Sequence, residues 1–346
     1  MGKRAGTVLS LLTTTGCFGA VPYAGPVSNH FDGIQFRNME PTEVKGFYDV
    51  LRWKMTSEAA TWPDFVEIEE GPTPPERVQQ GIRIQFINHA TVLIQMDGVN
   101  LVTDPVWSKR VSPISWVGPA RHKSPGIALE SLPPIDAVLV SHNHYDHMDL
   151  PTLRRIAERD DPMMLVGLGN ARPLQGDHLL RAQDMDWWDT KRIAGVEIIF
   201  TPAQHWSGRT MGDHNHTLWG GFFVRGPSGS VYFAGDTGDG PHFAETRQRL
   251  GSPTVALLPI GAYEPRWFMA SQHINPEEAV KAHVTLGATI SIGIHWGTFQ
   301  LTDESMEAPR EALHEARKRA QVPDDRFLVL ENGEVWGTRN RQGVGP

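Results

Sequence analysis

Leu139-Val-Ser-His-Asn-His-Tyr-Asp-His-Met-Asp149 places His142, His144, Asp146 and His147 within six residues, directly behind an apolar run. A polar surface turn accounts for one or two histidines, but four metal-binding groups ask for more. The preceding IDAVLVS (135–141) reads as a short buried strand, and DLPTLRRIA (149–157) has the cap and the period of a helix start. The cluster therefore sits on a loop at the carboxyl end of a strand, where open α/β sheets place their ligands. Neutral imidazoles and carboxylates suit zinc and similar ions, and two histidines at i and i+2 on an irregular loop can converge on one ion. Asp146 and His147 then face a second.

Around this loop lie 346 residues, long enough to bury a substantial core in one large domain or two. The formal net charge is −8, and no basic stripe interleaved with aromatics appears, which argues against a nucleic-acid partner. No stretch of about eighteen apolar residues is present, so no helix is expected to span a bilayer. The single cysteine, Cys17, excludes an internal disulfide. It ends MGKRAGTVLSLLTTTGC, a basic start at Lys3 and Arg4 followed by a short apolar segment, which looks like a bacterial secretion signal with a lipid-modified cysteine. Thr14 stands where a leucine is preferred, so residues 1–40 are expected to be either a signal-like segment or a flexible tail. A processed chain would be held at a membrane through Cys17; an unprocessed one would remain cytoplasmic.

Residues 41–346 read as a single domain. IRIQFINHATVLIQMDGVNLVTDPVW predicts two or three strands joined by a turn at Asp97 and Gly98. After the histidine loop the pattern predicts a helix, the strand MMLVGLG, a helix near 171–180, the strand in VEIIFTPAQHW, and a hairpin from TLWGGFFVRG and SVYFAGDT. A helix over 242–250, the strand VALLPIGAY, a capped helix from Asn275, the strand ATISIGIHWG, a helix from Pro309 and a final hairpin follow. Strands mixed with helices in both halves suit an α/β fold layered helix, sheet, sheet, helix.

Three further candidates end strands: His205 after IIFTPAQ, Asp236 after VYFAG and His295 after ISIGI. Singly each reads more readily as a satisfied rim residue. Together they complete a two-metal set in which His142, His144 and His205 hold one ion, Asp146, His147 and His295 the other, and Asp236 bridges. Paired ions of this kind lie about 3.5 to 4 Å apart.

The ordered segments SHNHYDHMD, TPAQHW, FAGDTG and IHWG resemble the metallo-β-lactamase superfamily over residues 80–335. INHATVLIQMDGVNLVTDPVW and LPIGAYEPRWFMASQHINPEEAV resemble, more narrowly, its N-acylphosphatidylethanolamine-hydrolysing phospholipase D family. The resemblance implies an αββα sandwich of two mixed β-sheets flanked by helices and two Zn2+ per chain, with other divalent metals allowed. It implies cleavage of a phospholipid to phosphatidic acid and N-acylethanolamine, contact with a membrane surface, and substrate contacts at Tyr145, Gln272 and His273. A homodimer is left open as the assembly.

Phosphodiester hydrolysis needs a nucleophile at neutral pH, relief of phosphate charge and help for the departing oxygen, which two zinc ions largely supply. Asp146 is then expected to hold and orient the attacking water. Asp104, in TDP, is either a partner that fixes a ligand histidine's tautomer or a turn-former before Pro105. In SQHINPEEA, Asn275, Pro276 and Glu278 make a capped helix start just after Gln272 and His273, a place that favours an anion. His273 is therefore expected to touch phosphate or protonate the leaving oxygen, unless it is a surface residue beside a cap. Trp267, Phe268 and Met269 read as core or as an acyl-chain slot, with Arg266 toward head groups; His214 and His216 read as loop residues. A different metallohydrolase reaction, such as lactone opening or another phosphodiester cleavage, and a non-catalytic lipid- or metal-binding role stay as alternatives.

Overall fold

The computed structural model describes residues 23–42, 45–114, 116–210 and 212–338. Cys17 and the signal-like segment lie outside the described residues. In chain order the strands are β1 (Ile82–Asn88), β2 (Thr91–Met96), β3 (Val99–Thr103), β4 (Ala137–Val140), β5 (Met163–Gly167), β6 (Ala182–Met185), β7 (Thr190–Ile193), β8 (Val196–Thr201), β9 (Gly221–Gly226), β10 (Gly229–Phe233), β11 (Val255–Pro259), β12 (Ile290–Ile294), β13 (Phe327–Leu328) and β14 (Val335–Gly337). The helices are α1 (Phe47–Thr56), α2 (Leu150–Asp160), α3 (Ala171–Gly176), α4 (His242–Leu250), α5 (Arg266–Met269), α6 (Pro276–Leu286) and α7 (Ala308–Ala320). One sheet runs β14-β1-β2-β3-β4-β5-β6 and the other β13-β12-β11-β10-β9-β8-β7. This is the expected αββα sandwich.

Period-two patterning builds the layers. In β4, Ala137 and Leu139 enter the core between the sheets, whereas Val138 and Val140 pack outward against Leu153 and Ile156 of α2 and Leu174 of α3. Across the central core stand Phe200, Phe222 and Phe233 of the second sheet, whose outer face meets Ala279, Val280 and Leu286 of α6 and Leu313 and Ala316 of α7. Each fully buried valine, leucine, isoleucine or phenylalanine among them contributes roughly 1.5–3 kcal/mol.

Strand direction places the site. β1 and β3 are both antiparallel to β2, and β3 is parallel to β4, so β1, β3 and β4 end at one rim. In the other sheet β8 and β10 are both antiparallel to β9, while β10, β11 and β12 are parallel. Their carboxyl ends meet the first rim, where His295 N donates to His89 O at 2.7 Å and Gly220 N to Ser141 O at 3.0 Å. Gly235 (φ 63°) makes the turn into Asp236, and a Cβ there would stand 2.7 Å from Ser141 Cβ.

Two expectations need correction. The final pair is not a hairpin: β13 adds in parallel to β12, and β14 adds antiparallel to β1 in the other sheet, each finding its own open edge. Residues 23–40 are not a flexible tail either. Phe31 and Phe36 bridge one another and are 2 % and 1 % exposed within the central core, and Asn38 reaches the loop after β8. Glycine, proline and asparagine marked the irregular backbone correctly but said nothing of the two anchoring rings. The edge strands β6 and β7 and helix α1 were not anticipated, because AQDM and TKRI are too polar to stand out from loops.

Removing an anchoring ring should therefore cost global stability. Phe36→Ala is expected to lower the unfolding free energy by about 3–5 kcal/mol in urea titration. An unchanged midpoint would mean that the segment does not belong to the cooperative core.

Candidate metal centre

Six strand ends supply the residues of the candidate centre: β1 His89, β3 Asp104, β4 the histidine loop, β8 His205, β10 Asp236 and β12 His295. The histidine loop is pinned at its far end by Asp149, whose carboxylate accepts from Ser108 N (3.0 Å), Ser108 Oγ (2.7 Å) and Thr152 Oγ1 (2.6 Å). His89, Asp104 and His295 have φ of 47°, 31° and 59°, left-handed conformations that a non-glycine residue holds only under surrounding constraint.

Hydrogen bonds behind the histidines set their tautomers. His147 Nδ1 donates to Asp104 Oδ2 at 2.6 Å. Ser141 Oγ donates to the same Asp104 oxygen at 2.6 Å and accepts from His142 Nδ1 at 2.9 Å. His205 Nδ1 donates to Gln272 O at 3.0 Å. In all three rings Nδ1 is spoken for, which turns Nε2 toward the rim. Asp104 is thus the partner of a cluster histidine, the first of the two readings its sequence position allowed.

Two groups of donor atoms result. His142 Nε2 lies 2.8 Å and His205 Nε2 3.3 Å from His144 Nδ1. In the second group His147 Nε2 stands 3.3 Å from Asp146 Oδ2 and 3.2 Å from Asp236 Oδ2, while His295 Nε2 stands 3.4 and 3.1 Å from the same oxygens. A tetrahedral ion with ligands at 2.0–2.1 Å sets its donors about 3.3 Å apart, which the second group and the His205–His144 pair match, while His142 and His144 stand closer. Asp236 faces both groups, its Oδ2 lying 3.9 Å from His205 Nε2. His147 Nε2, His295 Nε2 and Asp236 Oδ1 are buried without a hydrogen-bond partner. Unsatisfied groups of this kind cost about 1–3 kcal/mol each, a penalty that a bound cation removes. The donor set fits a metal pair.

Electrostatics agree. Burial, reinforced by His147, His144 and His205, holds His142 well below the usual histidine range; burial likewise holds His205 well below it and His144 at about 3. These rings are neutral at pH 7, as metal ligation requires. His147 behaves oppositely: burial lowers it, but Asp236, Asp146 and Asp104 outweigh burial and raise it well above the usual range. Asp146 and Asp236 stay well below the carboxylate range because His147 and their other imidazole neighbours outweigh desolvation. Protons thus balance the two carboxylates where a divalent ion would supply the same charge.

The remaining predicted residues sit close by. His273 Nδ1 is 3.8 Å from Asp236 Oδ2, and burial lowers its pKa to about 4 against the pull of Asp236. Asn275 caps α6 as expected, accepting from Glu278 N and donating to Glu278 Oε2, both at 2.9 Å. Gln272 contributes its carbonyl to His205 and lines a cavity of about 180 Å³ with His205, Trp206, His214 and Phe268. Tyr145 lies half-buried beside Val106, Val111 and Phe299, and its hydroxyl donates to Arg209 O at 3.0 Å. Arg266 pairs with Glu278 at 2.7 Å and donates to His273 O at 2.9 Å, bracing α5 against α6. Met269 is core, while Phe268 packs on Trp53 of α1. His214 lies tilted against Trp206 with ring centroids 5.2 Å apart, and neither it nor His216 joins a donor cluster among the described residues.

Two residues at the rim escaped the sequence reading. Asn38 exchanges hydrogen bonds with the backbone of His205, accepting from its N at 3.0 Å and donating to its O at 2.8 Å. No local pattern marked it. His89, buried beneath Asp146, did carry a signal, since it ends a strand as His205 and His295 do.

Comparison with known proteins agrees with this geometry. Residues 99–296 match the beta-lactamase superfamily domain. The chain is 40% identical over 276 residues to N-acyl-phosphatidylethanolamine-hydrolyzing phospholipase D 1 of Caenorhabditis elegans, covering 76% of this chain and 78% of that one. It is 35% identical over 224 residues to the mitochondrial enzyme of that name from Saccharomyces cerevisiae, covering 63% and 48%. A metal-dependent hydrolase of Methanopyrus kandleri is 32% identical over 258 residues, covering 74% and 99%. The fold matches Igni18, a metallo hydrolase of Ignicoccus hospitalis, with TM-score 0.56 at 21% identity over 76% of this chain and 100% of that one. The chain belongs to the beta-lactamase superfamily and, within it, to the family of N-acylphosphatidylethanolamine-hydrolysing phospholipases D.

The Asp104 network gives a direct test. Asp104→Ala is expected to lower metal affinity 10–100-fold by chelator competition while the circular dichroism spectrum is kept. Affinity equal to the parent would show that Asp104 only shapes the turn before Pro105.

Proposed function

We propose that this protein is a binuclear zinc phosphodiesterase of phospholipase D type, hydrolysing N-acylphosphatidylethanolamine-like lipids to phosphatidic acid and N-acylethanolamine. The observation that carries this reading is the pair of buried donor groups faced by Asp236, on a rim beside the cavity of Gln272, Trp206 and Phe268. In it His142, His144 and His205 would hold one ion and Asp146, His147 and His295 the other, with Asp236 available to both. Two ions so held supply Lewis acidity and a nucleophilic water at neutral pH. Asp146 orients the water, and His273 meets the phosphate or the departing oxygen from the turn before α6. Gln272 and Tyr145 border the substrate.

A membrane surface is the proposed source of substrate. Helix α1 exposes Phe47, Tyr48, Leu51 and Met55, and its inner side meets Phe268 through Trp53. Among the described residues no helix is long and apolar enough to cross a membrane. A contact made by α1 would lie in the interface, and anchoring through Cys17 and pairing as a homodimer remain parts of the same proposal.

The purified protein should carry close to two metal equivalents, mainly zinc, and His142→Ala and Asp236→Ala should lose both metal and turnover. Assay against N-acylphosphatidylethanolamine, plain phosphatidylethanolamine and a lactone panel identifies the substrate class. In labelled water the heavy oxygen should enter phosphatidic acid, because attack at phosphorus breaks the bond to the ethanolamine oxygen. Label in the acylethanolamine, or preferred turnover of a lactone, would reject the assignment.

His273 separates a site residue from a bystander. A positioned acid or phosphate contact contributes about 10² to 10⁴-fold in rate. His273→Ala should therefore keep its fold and both metals while losing at least tenfold in turnover, whereas His214→Ala should matter little. The reverse pattern, with metal lost on changing His214, would put the site mouth on the other loop.

A further inference from the structure

We infer that His89 is a positioning residue for the second ion, holding Asp146 and His295 in register; this rests on the metal-centre reading above. Its Nε2 lies 3.0 Å from Asp146 Oδ2, the oxygen that also faces His147 and His295. An Nε2 proton donated there fixes which carboxylate oxygen points inward and where. The same residue grips the other side of the shell. His89 O accepts from His295 N at 2.7 Å, and the two rings lie 4.0 Å apart.

The position is built for this purpose. His89 is 1 % exposed, its N donates to Thr298 Oγ1 at 3.1 Å, and Phe299 meets its ring edge-on at 5.2 Å. Those contacts hold it in the left-handed conformation at φ 47° that turns the ring off the end of β1 and under the histidine loop. An apolar ring of similar size could fill the space, but it could not donate to Asp146. Because Nε2 is engaged with the carboxylate, His89 acts through Asp146.

The test compares His89→Leu with His89→Gln, whose amide nitrogen can replace the lost donor. Both are loaded with two equivalents of zinc and titrated with a chelator, and the unfolding temperature of the metal-free forms is measured alongside. His89→Leu should release one of its two ions 10–100-fold more readily than the parent, with the other unchanged, and His89→Gln should restore most of the loss. Retention of both ions at parental affinity in His89→Leu would overturn the inference. So would equal loss in both variants, which would make the imidazole itself a ligand, or a lowered metal-free unfolding temperature with both ions weakened alike, which would make its role packing. A parent protein that binds no zinc would instead reject the metal-centre reading.

Discussion

The architecture turns on the burial of two carboxylates, Asp146 and Asp236, at the seam between two sheets. Ionised groups are tolerated out of water only when they are paired, and here the pairing partners are imidazoles delivered from both sides. His147 arrives from the first sheet and His295 from the second, each within 3.4 Å of both carboxylates. Each carboxylate therefore has an imidazole from its own sheet and one from the sheet opposite. The centre consequently acts as a rivet through the sandwich, and the core beneath it keeps the rivet aligned.

That alignment has a backbone cost, met by neighbouring structure. His89, Asp104 and His295 sit in left-handed conformations where their strands end, so their side chains leave the sheet direction and turn across the rim. Each is restrained by contacts within the centre: His295 N on His89 O, Asp104 on Ser141 and His147, His89 on Thr298. The packed strands behind them resist relaxation, since apolar interiors of this density do not deform continuously. Strain and metal-binding geometry are therefore the same feature seen from two sides.

Much of this was legible in the linear chain. Alternating apolar residues announced the strands, and histidines and aspartates placed directly after apolar runs announced the rim, because a strand's end is where a side chain can leave the sheet. Asp104 was legible for the same reason. His89 obeyed that rule too, yet a single histidine in INHATVL carried no neighbouring cluster to single it out. The edge strands β6 and β7 were lost because an exposed edge needs little hydrophobicity. The terminal segments were misread because β13 and β14 are specified by the open edges they join, which local sequence does not contain.

The sequence by itself determined the layered α/β class, the strand-end origin of the donor residues and the cap of α6, since each depends on contacts within a few positions along the chain. Tertiary structure alone decided how the donors group around Asp236, that Asn38 clasps His205, that Arg266 braces Glu278, and that Phe31 and Phe36 enter the core. Those outcomes depend on distances between residues far apart in the chain, which exist only once both sheets have paired in register and closed on a common core.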